Sequence, residues 1–392
     1  MPEITPSFVF QYERRMRAIT ETEYARRLTS PHIWWNKVAR VVPIEGKTER
    51  ISWLLDTATI EPIGPSGTGR LGFEELVTQS AEYPSFRHGR GISVQRDQIE
   101  DLDGTGLDHL GKWSAMIGNE TAYYPQRLFT QLLLNGANTD GSAAAYDGQP
   151  FFSDNTTNGG IGHPYNPFAT ALGGYANWLH GAVSGSYPGA CPIDVTNAAT
   201  VDIAFQNLQR ALTWIASLKM PNGIDPRFLT PAFILAPPAL TQRLVQITDA
   251  KFIAQAAGAS GGGAADIEAV HEFWGLGRPI FCQELGAAFT YTAKIPFVAV
   301  PNSGGNVNFL TETMTGSNTT YYIVCQEMQT TQLGGLLYIS RKPFKVTYYT
   351  GDSGGTGQAA DLDRMNEFEY HVQGRVAAQF GHPYTIFRVD AT

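Results

Sequence analysis

The sequence predicts an α+β fold, with helices and strands segregated along the chain. Three observations carry this. Leu107–Asn135 reads as one long helix with an apolar stripe. Asn197–Met220 reads as a second helix, faced by Val201, Phe205, Leu208, Leu212 and Ile215 and ended by Pro221-Asn222-Gly223. Strand-like runs crowd before the first helix and after the second, without the alternation that a parallel sheet requires.

The long helix is the element around which the rest is organised. Leu110, Trp113, Ile117, Tyr124, Leu128 and Leu132 recur at three-and-four spacing, and Phe129 and Leu133 widen the stripe. At ~1.5 Å per residue it runs roughly 40 Å. Asp103 and Thr105 offer caps, Gly136 a stop, and the acids Asp97, Glu100, Asp101 and Asp103 suit the positive end of the helix dipole. Pro125 lacks a backbone donor and should bend the helix, with Gly118 weakening it further.

Before this helix, residues 1–40 form an arm with seven Lys/Arg against four Asp/Glu, in a chain of net charge −8. Its helix is expected over Glu13–Leu28. The basic residues there are either a solvated face or a strip that lies on an acidic neighbouring subunit, with Trp34 and Trp35 as anchors. Residues 41–95 read as an extended β-hairpin. Glu49–Thr59 is the outgoing strand, Glu61–Gly72 a tip full of turn formers, and Phe73–Val94 the return. A two-stranded ribbon is marginal alone in water. Its Trp53, Ile63, Arg70, Leu71 and Phe73 are therefore candidates, with Trp34 and Trp35, for contact with another subunit.

Beyond the long helix, Pro150-Phe151-Phe152 can plug into a core, and an irregular Gly/Asn/Pro-rich segment continues to about Pro192. Ala232–Ala236 is a short strand, and a helix starts at Pro237-Pro238. Strands then follow at Pro279–Glu284, Phe297–Val300, Tyr321–Met328, Leu336–Ile339 and Lys345–Tyr349. Glu367–Val389 reads as a final strand pair returning toward the start of the long helix.

Composition narrows the function. Only 16% of the residues are charged, against the ~25% of an average domain, which suggests a surface covered by further copies of the chain. The net negative charge argues against a dedicated nucleic-acid binder. Cys191, Cys282 and Cys325 are distant from one another and odd in number, fitting neither a disulfide framework nor a metal site. The sequence shows no secretory signal and no run apolar enough to span a membrane. Synthesis in a reducing cytosol is expected.

Two motifs mimic chemistry. Gly67-Thr68-Gly69-Arg70-Leu71-Gly72 has the dinucleotide-binding spacing, but Pro62 and Pro65 precede it and no βαβ unit surrounds it. Gly351-Asp352-Ser353-Gly354-Gly355 is the string around a serine-protease nucleophile. A triad also needs a base and an oriented acid, and no histidine here has the matching context. His271-Glu272 does not extend to a zinc motif. No catalytic, cofactor-binding or metal-binding residue is assigned, and the chain is read as a structural protein.

Gly91-Ile92-Ser93-Val94, Arg96, Ile99-Glu100-Asp101, Leu132-Leu133-Leu134-Asn135-Gly136 and Tyr146-Asp147-Gly148-Gln149-Pro150-Phe151-Phe152 resemble the major head subunit family of Mu-like tailed phages. Leu235-Ala236-Pro237-Pro238-Ala239-Leu240 is similar to that family's strand-to-helix step. Asn155-Thr156 stands where the family has a histidine, and residues 156–192 look expanded. The resemblance implies a Hong Kong 97-type capsid fold. Its parts map as an N-terminal arm over 1–40 and an extended loop over 41–95. A peripheral domain with the spine helix follows over 96–150, then an axial domain over 151–332 and a return to the peripheral domain over 333–392. It further implies hexamers and pentamers of a virion shell around double-stranded DNA, held without sequence-specific binding. Assembly would take place in the bacterial cytoplasm, with room for scaffolding, portal and decoration proteins. Arg70 at the tip, with no lysine beside it, argues against a covalent crosslink. An encapsulin-like compartment and a hydrolase using Ser353 are the alternatives.

Overall fold

Long apolar stripes need partners. The computed structural model describes residues 6–54, 78–95, 105–138, 145, 149–153, 176–183, 187–219, 228–248, 279–297, 308–327, 334–349 and 367–391. The chain divides into two compact units, each built from discontinuous segments. Unit 1 holds Met1–Glu49, Tyr83–Phe129 and Tyr338–Gln379; unit 2 holds Arg50–Glu82, Thr130–Leu337 and Phe380–Thr392. Helices and strands are both present, as the sequence predicts, but in unit 2 they alternate along the chain and the five-stranded sheet includes parallel pairs.

Unit 1 begins with α1 (Pro6–Leu28), the short α2 (Trp35–Val38) and β1 (Arg40–Pro43). The expected hairpin is shorter than read. Among the described residues β2 (Thr48–Leu54) pairs with β3 (Thr78–Pro84) alone, most of both strands belonging to unit 2, and after Pro84 the chain turns into β4 (Phe86–Gln95) of the unit 1 sheet. The spine follows as α3 (Thr105–Asn135), 31 residues without a break despite Pro125. The Trp35 indole donates to the Ala122 carbonyl, three residues before the proline. Gly118 is less a weak point than a notch. A Cβ there would lie 2.6 Å from the Thr20 carbonyl, so its absence lets α1 approach α3 closely. Thr20 Oγ1 also donates to the Ser114 carbonyl at 3.2 Å.

The unit 1 sheet has the order β1-β11-β12-β4, with β11 at Leu336–Tyr349 and β12 at Glu367–Phe380. The sequence reading broke β11 in two at Pro343. The strand runs through Pro343 as one fourteen-residue element. Ile117 of α3 packs on Val372 of β12, with Trp113 and Phe344 beside them.

In unit 2, β5 (Trp178–Leu179) is followed by α4 (Val201–Ala216), capped by Thr200, whose Oγ1 accepts from Ile203 N at 3.2 Å. Leu208, Leu212 and Ile215 of α4 are buried. Then come β6 (Leu229–Ala236), a 3-10 turn at Pro238–Leu240, α5 (Thr241–Thr248) and β7 (Ile280–Phe281). β8 (Thr290–Phe297) and β9 (Asn308–Thr315) form an antiparallel pair that the sequence reading missed, except for its Phe297 end. With β10 (Tyr321–Glu327) and β13 (Ile386–Val389), the five-stranded sheet has the order β5-β13-β10-β6-β7. The last limb is thus no strand pair: β12 belongs to one sheet and β13 to another.

The Phe-Phe plug forms as expected. Phe151 stacks on Phe380 at 3.7 Å, and Phe152 packs on Tyr322 at 5.6 Å. Gly136 permits this, since a Cβ there would lie 2.5 Å from the Phe152 ring. Buried Asn177 ties the region together: its side chain donates to the Phe151 and Pro383 carbonyls and accepts from Ser153 N. A second knot holds β13. Asp390 accepts from Trp178 Nε1 at 2.7 Å and Thr320 Oγ1 at 2.6 Å, and pairs with Arg388 at 3.1 Å.

Candidate functional site

Trp34 and Trp35 are not contact anchors for a neighbour. They are 0% and 5% exposed within their own molecule. Trp34 packs on Phe129 at 6.5 Å and Trp35 on Tyr338 at 4.9 Å, all within unit 1. Gln126 fixes the segment from both sides: its Oε1 accepts from Trp34 N at 2.9 Å, and its Nε2 donates to the His32 carbonyl at 3.2 Å. The sequence reading overlooked that the α3 stripe is wide enough to take both indoles. The arm likewise lies on its own spine, since Met16 and Thr20 of α1 are buried. Trp53 lies in β2, but its side chain falls outside the description. Ile63, Arg70, Leu71 and Phe73 lie outside the described residues, as do the Gly67–Gly72 and Gly351–Gly355 strings.

The three cysteines are free and buried. Burial pushes the Cys191 thiol up to about 11 and raises the Cys282 and Cys325 thiols as well, so none is a ready nucleophile. Among the described residues no cluster of His, Cys, Asp and Glu could hold a metal, and no helix is long and apolar enough to cross a membrane.

Unit 1 does contain one feature that sequence reasoning missed, a cleft of about 390 Å³ between β4 and α3. His88 and Tyr124 are among its lining, joined by a 2.8 Å hydrogen bond between Tyr124 Oη and His88 Nδ1. Burial pulls the His88 imidazole below its ordinary value, with a hydrogen bond to the Val376 backbone opposing. Burial raises Tyr124, with Arg127 opposing and Glu120 adding to the rise. Both shifts favour the neutral forms, so the bond joins an uncharged hydroxyl to an uncharged imidazole. Arg127 pairs with Glu120 at 2.7 Å and lies 5.5 Å from the Tyr123 ring centre. This arrangement ties β4 to the spine. Its only sequence trace is Phe86-Arg87-His88-Gly89-Arg90, a polar strand set against an apolar helix.

The described residues thus contain an arm helix, a two-stranded ribbon and a long spine helix. Residues 14–171 match the family described as the Mu-like prophage major head subunit gpT. That stretch includes most of the arm, the ribbon and the spine. No curated protein matches the chain. Similar solved structures include the bacteriophage JBD30 capsid, at 12% identity and TM-score 0.40, covering 92% of this chain and 65% of that one. The bacteriophage PhiM1 mature capsid matches at 12% identity and TM-score 0.47 over 91% of this chain and 86% of that one. The cyanophage P-SCSP1u capsid matches at 12% identity and TM-score 0.47, with 90% and 86% coverage.

Proposed function

We propose that the chain is the major capsid protein of a tailed phage, and that its copies close through hexamers and pentamers into an icosahedral shell around double-stranded DNA. The family match over residues 14–171 carries this reading. The ribbon supports it. β2 and β3 form a sheet of their own, and an isolated two-stranded ribbon is marginal in water. A neighbouring copy supplies the missing surface, met by Trp53, Ile63, Arg70, Leu71 and Phe73. Closed symmetry then repeats each contact over the whole shell, so small interfaces add up to a rigid container. The mapping that carries over is arm, extended loop, peripheral domain with spine, and axial domain. DNA is held by enclosure rather than by base recognition, in keeping with the net charge of −8. Scaffolding, portal and decoration proteins are the further partners, and assembly takes place in the host cytoplasm.

Negative-stain microscopy of purified protein tests the reading. Rings or closed particles are expected, and a chain shortened by replacing residues 55–77 with a short Gly-Ser turn should fold but not close. Particles of unchanged form from the shortened chain would remove the ribbon from the mechanism.

A further inference from the structure

Val372 is buried against Ile117, so that side of β12 faces the spine helix. Neighbouring residues along a strand point to opposite faces, and directly paired residues share one. His371, Gln373 and Arg375 therefore lie on the side away from the spine. The β12–β4 register, with Arg375 opposite Arg87 and Gln373 opposite Gly89, puts Arg87 there too. On β11, Phe344 packs beside Ile117 and Val372, which sends Lys345 and Arg341 to the same outer side.

Two arginines thus stand directly across a strand pair, an arrangement that destabilises a sheet unless something neutralises it. Arg87 donates to Gln373 Oε1, which carries no charge to offset it. Arg375 and Lys345 have no hydrogen-bond or ion-pair partner among the described residues, and Arg87 and Lys345 are exposed. Among the described residues Arg341 donates to the Glu45 backbone carbonyl.

We propose that this outer side of the unit 1 sheet, centred on Arg87 and Arg375, is a docking surface for carboxylates of a second copy of the chain. The chain carries 36 Asp/Glu against 28 Lys/Arg, so a second copy brings the complementary charge to a patch where bases dominate. The guanidinium fork matches a carboxylate in two parallel hydrogen bonds, and two forks side by side can share one acidic segment. The inference rests on the head-subunit reading, which brings copies together in the first place.

Sedimentation velocity of the intact chain at low and raised salt tests it, with circular dichroism to confirm folding. Self-association of the wild type should weaken with salt. Arg87→Glu with Arg375→Glu should weaken it by roughly tenfold or more, and the Lys/Lys variant should retain part of it. Should the double reversal fail to fold, Arg87→Gln with Arg375→Gln takes its place, with the same loss expected. Undiminished association of the charge-altered protein overturns the inference. So does loss of binding to a fluorescein-labelled DNA duplex with association intact, which would assign the patch to phosphates. A wild type that does not associate at all would instead refute the head-subunit reading.

Discussion

Removing the Asp390 carboxylate should cost unit 2 much of its stability. Asp390 and Arg388 are 14% and 19% exposed at their side chains, and Asp390 accepts from Trp178, Thr320 and Arg388 at 2.6–3.2 Å. Burial pulls the Arg388 guanidinium down, yet Tyr322 and Asp390 outweigh this and leave it raised. Asp390→Ala leaves that cation largely buried with only the Trp178 ring, 5.0 Å away, to face it. Breaking a buried pair from one side costs ~3–5 kcal/mol, and exposure of nearly a fifth favours the lower end. At ~2–4 °C per kcal/mol for a unit of this size, the melting temperature falls by roughly 6–12 °C. Arg388→Met on top of Asp390→Ala removes the stranded charge and should recover part of the loss. The assay is thermal unfolding followed by near-UV circular dichroism. A single variant that melts within a degree of wild type, or a double variant no better than the single, would refute the reasoning.

Three other perturbations test separate parts of the structure. Gly118→Ala gains about 1 kcal/mol of helix propensity but drives a methyl into the Thr20 carbonyl, so α1 should loosen from the spine and its Arg-Arg bonds be cut faster by trypsin; slower cleavage would contradict the notch. The folded-state pKa of His88 lies below its ordinary 6.5, so the unfolded chain binds protons that the folded one does not. Stability should therefore fall as the pH drops below about 6.5, and His88→Gln should flatten that slope; melting curves with identical pH dependence would exclude it. Cys191, Cys282 and Cys325 should resist Ellman's reagent in native protein and react together once denatured, whereas fast native labelling of any one would show its burial to be wrong.

The helices were the legible part of the chain. A stripe as long as that from Leu110 to Leu133 permits one periodicity only, and the end at Asn135 is set locally by Gly136. The strands were legible as runs but not as partners. Nothing in Phe86–Gln95 says that it leaves the ribbon to pair with residues nearly three hundred positions away, because that pairing is decided by the sheet β12 brings. Trp34 and Trp35 were assigned to a neighbour because an indole pair on an arm looks unpartnered in sequence. The partners, Phe129 and Tyr338, lie on two other segments. The Arg87–Arg375 pair was hidden for the same reason: each residue is unremarkable until the register sets them opposite one another. The contact candidates Ile63, Arg70, Leu71 and Phe73 rest on sequence alone.

Sedimentation of the purified intact chain over a wide concentration range tests the account most directly. Boundaries of rings and megadalton particles, growing at the expense of the 42.8 kDa species, are the predicted result. A single 42.8 kDa boundary at every concentration would contradict it.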